Sequence, residues 1–231
     1  MKQSIQSYPN FKLKTLSVAF AFAFGGLIAT APALAQGTAG SEFRQEITAR
    51  PLQVRIVDDS GDYTDFANPY VAMSSAQYSF LCQASTGTFG TPTQQIYVEN
   101  PGDAADGWTV SLAAALPTDV WVSAGTPADT FDFNDPADSG CTSGQMTVDP
   151  SVATLTTGAC SGCDITDITQ GSSAAFSEGT LDSITLLNAG SNSSEIGDWI
   201  FNGIAISQTI PGETPVNNDY AIDMVLTITA S

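Results

Sequence analysis

The stretch FDFNDPADSGC, residues 131–141, sets Asp132, Asn134, Asp135 and Asp138 within seven positions, and Asp129 stands just before it. Oxygen atoms at this density suit a hard cation. Calcium takes roughly six to eight oxygens from carboxylates, carbonyls and water, and it needs neither nitrogen nor sulfur. These five residues are therefore candidate calcium ligands, with backbone carbonyls completing the shell. The spacing is not that of an EF-hand: counting from Asp132, the fifth position is Pro136, and the twelfth is not a glutamate. The competing reading is a run of Asx-turns, in which the same side chains bond nearby backbone N–H groups while Pro136 and Gly140 turn the chain. In that reading Phe131 and Phe133 point into the core, and Asp132 and Asn134 stay outside.

The second group able to do chemistry is the set of four cysteines, Cys82, Cys141, Cys160 and Cys163. An even number in an exported chain points to two disulfides, with three pairings open. The CSGC run could form a redox pair. That chemistry normally needs a helix N-terminus or nearby cations to hold a thiolate. Here the neighbours are Ser161, Gly162 and Asp164, so a structural role is expected. Were Cys141 to join Cys160 or Cys163, a loop of about 20 residues would close, worth roughly 3 kcal/mol. That link would also bring a second acidic patch, Asp164 and Asp167, toward the first.

What is missing narrows the chemistry further. With no histidine in the chain, Ser-His-Asp and Cys-His catalysis are ruled out, as are His-ligated zinc sites. Paired carboxylates can hydrolyse glycosides when one acid has a raised pKa about 5–9 Å from the other, but nothing in the sequence marks any of the 24 acids as buried. Trp108, Trp121 and Trp199 could stack on sugars, yet each lies in an apolar context that reads as core. The chain is not expected to be an enzyme.

Residues 1–35 read as a signal peptide. Lys2, Lys12 and Lys14 form its basic head, LSVAFAFAFGGLIA its apolar run, and Ala33-Leu34-Ala35 its cleavage site. Cleavage would leave Arg44, Arg50 and Arg55 as the only cations against 24 acids, a net charge of −21. So acidic a surface repels phosphate backbones and anionic lipid, which argues against nucleic-acid and membrane partners. No second long apolar run is present to span a membrane.

The remaining elements read as short strands. In DYAIDMVLTITAS, Tyr220, Ile222, Met224, Leu226 and Ile228 alternate with polar or small residues, the pattern of a half-buried strand. Ile204–Ile210 reads as another strand, turned back at Pro211 into a hairpin with the last one. Trp108, Val110 and Leu112 share a face, as do Leu52, Val54 and Ile56. Turn residues separate runs of this kind throughout. The expected fold is all-β: an antiparallel β-sandwich of the Ig-like or Greek-key type, about nine to eleven strands, in one domain over residues 50–231. Residues 36–49 are polar and read as a flexible N-terminal arm.

The motif of Trp108, Thr109, Val110 and Ser111, with the closing strand through Ile228, resembles the WxL-type domains of bacterial surface proteins. Val110 stands where those domains have leucine, and MVLTIT replaces their second Trp-x-Leu. The segment SQTIPGETPVNNDYAIDMVLTITAS is also similar to the end of fimbrial and spore-coat-U-type subunits. These resemblances imply a β-domain working at the cell surface, attached non-covalently to cell-wall polymer or assembled with copies of itself. The alternative expectation is a calcium-assisted carbohydrate-binding module.

Overall fold

A computed structural model describes residues 45–46, 50–60, 62–102, 106–136, 140–191 and 196–231. Contacts divide the chain into Met1–Gln45 and Glu46–Ser231, and the account below concerns the second unit. The expected signal peptide, nearly all of the arm, and Asp138 lie outside the described residues.

Among the described residues the strands are β1 (Gln53–Val57), β2 (Gln83–Phe89), β3 (Gln95–Asn100), β4 (Trp108–Ala114), β5 (Trp121–Ser123), β6 (Thr130–Phe131), β7 (Gln145–Asp149), β8 (Thr154–Thr157), β9 (Ile168–Gln170), β10 (Ala174–Ala175), β11 (Ser183–Ala189), β12 (Gly197–Asn202), β13 (Ile204–Ile210), β14 (Tyr220–Ala221) and β15 (Met224–Ala230). Ten of these run four residues or more. The other five, β5, β6, β9, β10 and β14, have only two or three, too few for hydrophobic alternation to register. No helix among the described residues is long and apolar enough to cross a membrane.

All pairings are antiparallel and form four sheets, ordered β1-β3-β12-β8, β10-β7-β13-β2, β15-β4-β11-β9 and β14-β5-β6. The first two sheets are joined by a corner. Three neighbouring strands pass from one to the other, β2 into β3, β13 back into β12, and β7 into β8, in the same lateral order. Glycine makes two of these bends. Gly90 has φ +75° and Gly203 φ +92°, and the Gly203 N–H donates to the Gly90 carbonyl at 2.7 Å. Hydrogen bonding thus continues around the corner. At the third bend a single 3-10 turn, Pro150–Val152, is capped by Asp149, whose carboxylate accepts from the Ser151 N–H.

The third sheet packs on this bent surface. Trp108, Val110 and Leu112 of β4 face inward, and Trp108 and Trp199 meet with ring centroids 5.4 Å apart. On β11 the pairing register shifts between Thr185 and Leu187. The extra residue lets consecutive Leu186 and Leu187 both bury, which strict alternation forbids. β15 pairs with β4 from Met224↔Ala114 to Ala230↔Trp108.

The expected hairpin of β13 and β15 does not form. β13 lies between β2 and β7, while β15 joins β4 in the third sheet. The segment after Pro211 crosses between sheets, and on the way its β14 pairs with β5. Alternation reveals that both strands are half-buried; it carries no information about which sheet each one joins.

The corner yields a prediction. Alanine at Gly203 would meet open space, its nearest atom Ala153 Cα at 3.8 Å, so only the positive φ opposes it. Alanine at Gly90 would also place Cβ 2.8 Å from the Phe201 carbonyl oxygen. Gly203→Ala should cost about 1–2 kcal/mol, and Gly90→Ala more. Denaturant melts of both variants check the order, and equal costs would contradict the close approach at Gly90.

Candidate functional site

The acidic loop departs from the expected turn at Asn134. Phe133 is buried against Phe176, 5.1 Å between centroids. Asn134 is not outside: it is 5% exposed, and its amide donates to the Pro117 carbonyl at 2.8 Å. The backbone explains this reversal. Asn134 bridges Gln145, and the Met146 N–H donates to the Phe133 carbonyl, so a sharp local turn puts adjacent residues inside together. Phe131 is half-buried and stacks on Trp121, centroids 5.7 Å apart.

The candidate calcium ligands are only partly brought together. The Asp129 carboxylate accepts from the Asn217 side chain at 2.8 Å. Asp132 and Asp135 are hydrogen-bonded neighbours. Burial, the Asp135 charge and that hydrogen bond together raise the Asp132 carboxyl above its usual range. Asp138 lies outside the described residues. Beside the loop, Asp219 accepts from the Ser123 hydroxyl at 2.7 Å and the Gly125 N–H at 2.6 Å. The Ser123 hydroxyl, followed by the Gly125 amide, lowers its pKa.

The disulfides are Cys82–Cys141 and Cys160–Cys163. Neither links the acidic loop to Asp164 and Asp167. The first spans 59 residues and is worth roughly 4 kcal/mol in the chain-entropy model; the second, spanning three, is worth about 2. Beneath the CSGC turn lies Asp198, buried in β12. Its carboxylate accepts from the Ala159 N–H (2.8 Å), the Cys160 N–H (2.7 Å) and the Tyr97 hydroxyl (2.9 Å). Burial and the bond to Asp198 push the Tyr97 phenol well above its usual range. The two sulfurs and a carboxylate oxygen of Asp198 lie within 4.8 Å of one another, the one three-ligand grouping of metal-binding side chains among the described residues. With the sulfurs joined and the carboxylate holding three donors, this arrangement pins the turn to β12.

The motif strand contributes two different surfaces. Trp108 and Val110 are fully buried. Thr109 and Ser111 point outward into rows set by register: Thr229–Thr109–Asn188–Thr169 and Thr227–Ser111–Thr185, flanked by Val225–Ala113–Ser183. Among the described residues, these rows hold hydroxyl, amide and apolar side chains and no charge.

A cleft of about 710 Å³ opens beside the acidic loop. Trp121, Phe131 and Tyr220 lie on one side, the 73–79 segment and the 211–218 loop on others, and among the described residues no charged side chain lines it. Trp108 and Trp199 are wholly buried in the core, while Trp121 packs against it and stays half-exposed. β5 is too short to show which way Trp121 faces. A second cavity, about 740 Å³, is mainly apolar but includes Arg55, Asp65 and Asp223.

No protein-family model, curated protein or solved structure matches this chain.

The Asp132–Asp135 pair generates a test. A carboxyl whose folded pKa is raised stabilises while protonated, and that contribution is lost as pH rises through the folded value. Asp132→Asn should therefore stabilise the protein at pH 7, by less than about 1 kcal/mol because the site is partly solvated, with the gain shrinking toward acid pH. Thermal melts across pH check the sign. If the loop holds calcium, millimolar calcium should raise the wild-type midpoint and leave that of Asp132→Asn nearly still.

Proposed function

We propose that this chain is a secreted bacterial cell-surface domain, structural or adhesive, that attaches non-covalently to a cell-wall polymer or to copies of itself. The observation that carries this reading is the uncharged outer face of the third sheet. On a chain of formal charge −18, contact between like surfaces is opposed by repulsion. The rows through Thr109 and Ser111 form a face on which that repulsion is weakest and hydroxyl and amide groups are available for hydrogen bonds. The face continues from the strand whose sequence resembles the WxL motif. Two disulfides, one closing a long loop, suit a domain that works outside the cell. The second reading, a calcium-assisted carbohydrate-binding module, draws its support from the Asp132–Asp135 pair.

The surface reading predicts that the purified chain, residues 36–231, pellets with isolated sacculi or grows in size with concentration on a sizing column. Added salt should strengthen either behaviour, because screening shortens the reach of surface charge to about 10 Å at 0.1 M. Thr227→Asp and Thr229→Asp, both at exposed positions, should weaken the association at least tenfold while leaving the melting temperature nearly unchanged. A chain that stays monodisperse and never pellets overturns the proposal.

A further inference from the structure

The cleft beside the acidic loop carries an inference of its own, independent of the third-sheet face. Its aromatic side is fixed by polar anchors that belong to the protein. The Trp121 Nε1–H donates to Gln208 Oε1 at 3.0 Å. Gln208 is 1% exposed, and its amide nitrogen donates to the carbonyls of Asp132 (3.1 Å) and Thr209 (2.8 Å). The Tyr220 hydroxyl donates to the Pro215 carbonyl at 3.0 Å, and its ring meets Phe131 edge-on, 5.0 Å between centroids. With these polar ends engaged, Trp121, Phe131 and Tyr220 offer chiefly ring surface to the cleft.

The walls are held in place before any ligand arrives. The Glu213 N–H donates to the Ser79 carbonyl at 2.8 Å, and the Gly212 N–H to the Cys141 carbonyl at 2.9 Å. Cys141 is bonded to Cys82, next to Leu81. One disulfide thus secures both walls, so binding would order little that is loose. The rim is apolar where folding does not require it. Tyr78 is 52% exposed, Val216 78% and Phe80 72%, with the Tyr78 and Phe80 rings 5.4 Å apart. Exposed apolar groups clustered at the mouth of a cleft mark a contact surface.

The lining then selects the ligand class. Rings present C–H and π surface, and the polar lining includes serine and threonine hydroxyls and the amides of Gln77, Gln83, Asn217 and Asn218. Among the described residues no charged group lines the cleft, so these offer nothing to pair with an anionic or cationic polymer, and the chain's acidity repels an anionic one. A pyranose carries an apolar C–H face and a rim of neutral hydroxyls, which matches ring surface bordered by amides and hydroxyls. We propose that this cleft binds an uncharged glycan chain, with Tyr78 as its outer stacking platform. No metal is needed for this contact, which separates it from the calcium-assisted reading.

The test uses the purified chain, residues 36–231, with neutral chito-, cello-, xylo- and manno-oligosaccharides at millimolar concentration. Polygalacturonate serves as an anionic control, and an uncharged Ser/Gly-rich peptide as the competing class. Because Trp108 and Trp199 are fully buried, a ligand-induced change in tryptophan emission reports Trp121. Calorimetry gives the affinity. At least one neutral oligosaccharide should bind saturably, with or without a calcium chelator. Tyr78→Ala and Val216→Asp, both at exposed rim positions, should weaken it at least tenfold with unchanged melting curves. Absence of binding to every neutral sugar, binding only to the peptide or the polyanion, or affinity unchanged in both variants would overturn the proposal. Sacculus pelleting of the same two variants separates this result from the surface reading: pelleting that survives while no sugar binds sinks the cleft and spares the third-sheet face.

Discussion

The contact of Trp108 with Trp199 joins the third sheet to the first. Both rings are wholly buried, and they come from different sheets, β4 in the third and β12 in the first. A buried aromatic pair adds about 0.5–1.5 kcal/mol beyond the area it removes from water. It also sets the distance at which the third sheet can approach the bent surface. From Trp199 the constraint runs outward. Its Nε1–H donates to the Asp164 carbonyl just after the CSGC turn, and its neighbour Asp198 holds the other side of that turn through two backbone N–H groups. The Cys160–Cys163 bridge thus lies on the outside of the same contact. Trp108 accepts a cost in return: its Nε1 is buried with no hydrogen-bond partner among the described residues, a loss of roughly 1–3 kcal/mol that ring packing must outweigh.

Period-two patterning reads β4, β13 and β15 and their inner faces. It leaves β2, β7 and β8 unread, and on β1 the fully buried residue is Val57, opposite the face of Leu52, Val54 and Ile56. Trp108, Val110 and Leu112 all face in, and Met224, Leu226 and Ile228 pack against the core as their alternation requires. What the pattern misses is where the chain changes sheets. Gly90 and Gly203 carry a corner that no hydrophobic count reveals, because its key hydrogen bond joins two glycines more than a hundred positions apart. The bulge on β11 hides for a similar reason: Leu186 and Leu187 side by side break alternation, and only the register shift resolves them. Short strands leave no trace at all, so the sheet that presents Trp121, Phe131 and Tyr220 was invisible, and with it the cleft.

Charge is distributed by the same logic. The few cations are used where acids must be approached closely. Arg55 donates to the Tyr63 carbonyl and Asp65, lies 3.9 Å from Glu99, and sits over the Tyr97 ring at 5.1 Å. Tyr97 in turn donates to Asp198. This chain of contacts lets two acids of the first sheet lie near one another without facing bare repulsion. The acidic loop solves the same problem without a cation: Asp219 and Asp129 take hydroxyl and amide donors, and Asp132 shares a hydrogen bond with Asp135. Among the described candidate ligands, Asp129 and Asn134 are thus bonded to other parts of the protein, while Asp132 and Asp135 face each other.

The two surfaces that lack charge gain their significance from this background. A neutral patch on an ordinary protein says little, because charged residues are interspersed at random. Here acids outnumber cations 24 to 6, and they stand mainly in turns, where Asp and Asn serve the backbone. Sheet faces are free of that demand, so β4, β11 and β15 can present threonine, serine and asparagine outward without loss of solubility, which the turns supply. The cleft is neutral for a second reason. Its polar atoms must brace the rings, and a charge in place of Gln208, buried beneath Trp121, would need a counter-ion that the chain cannot provide. A fold poor in cations thus builds its interior contacts and its uncharged surfaces from the same materials: amides, hydroxyls and aromatic rings.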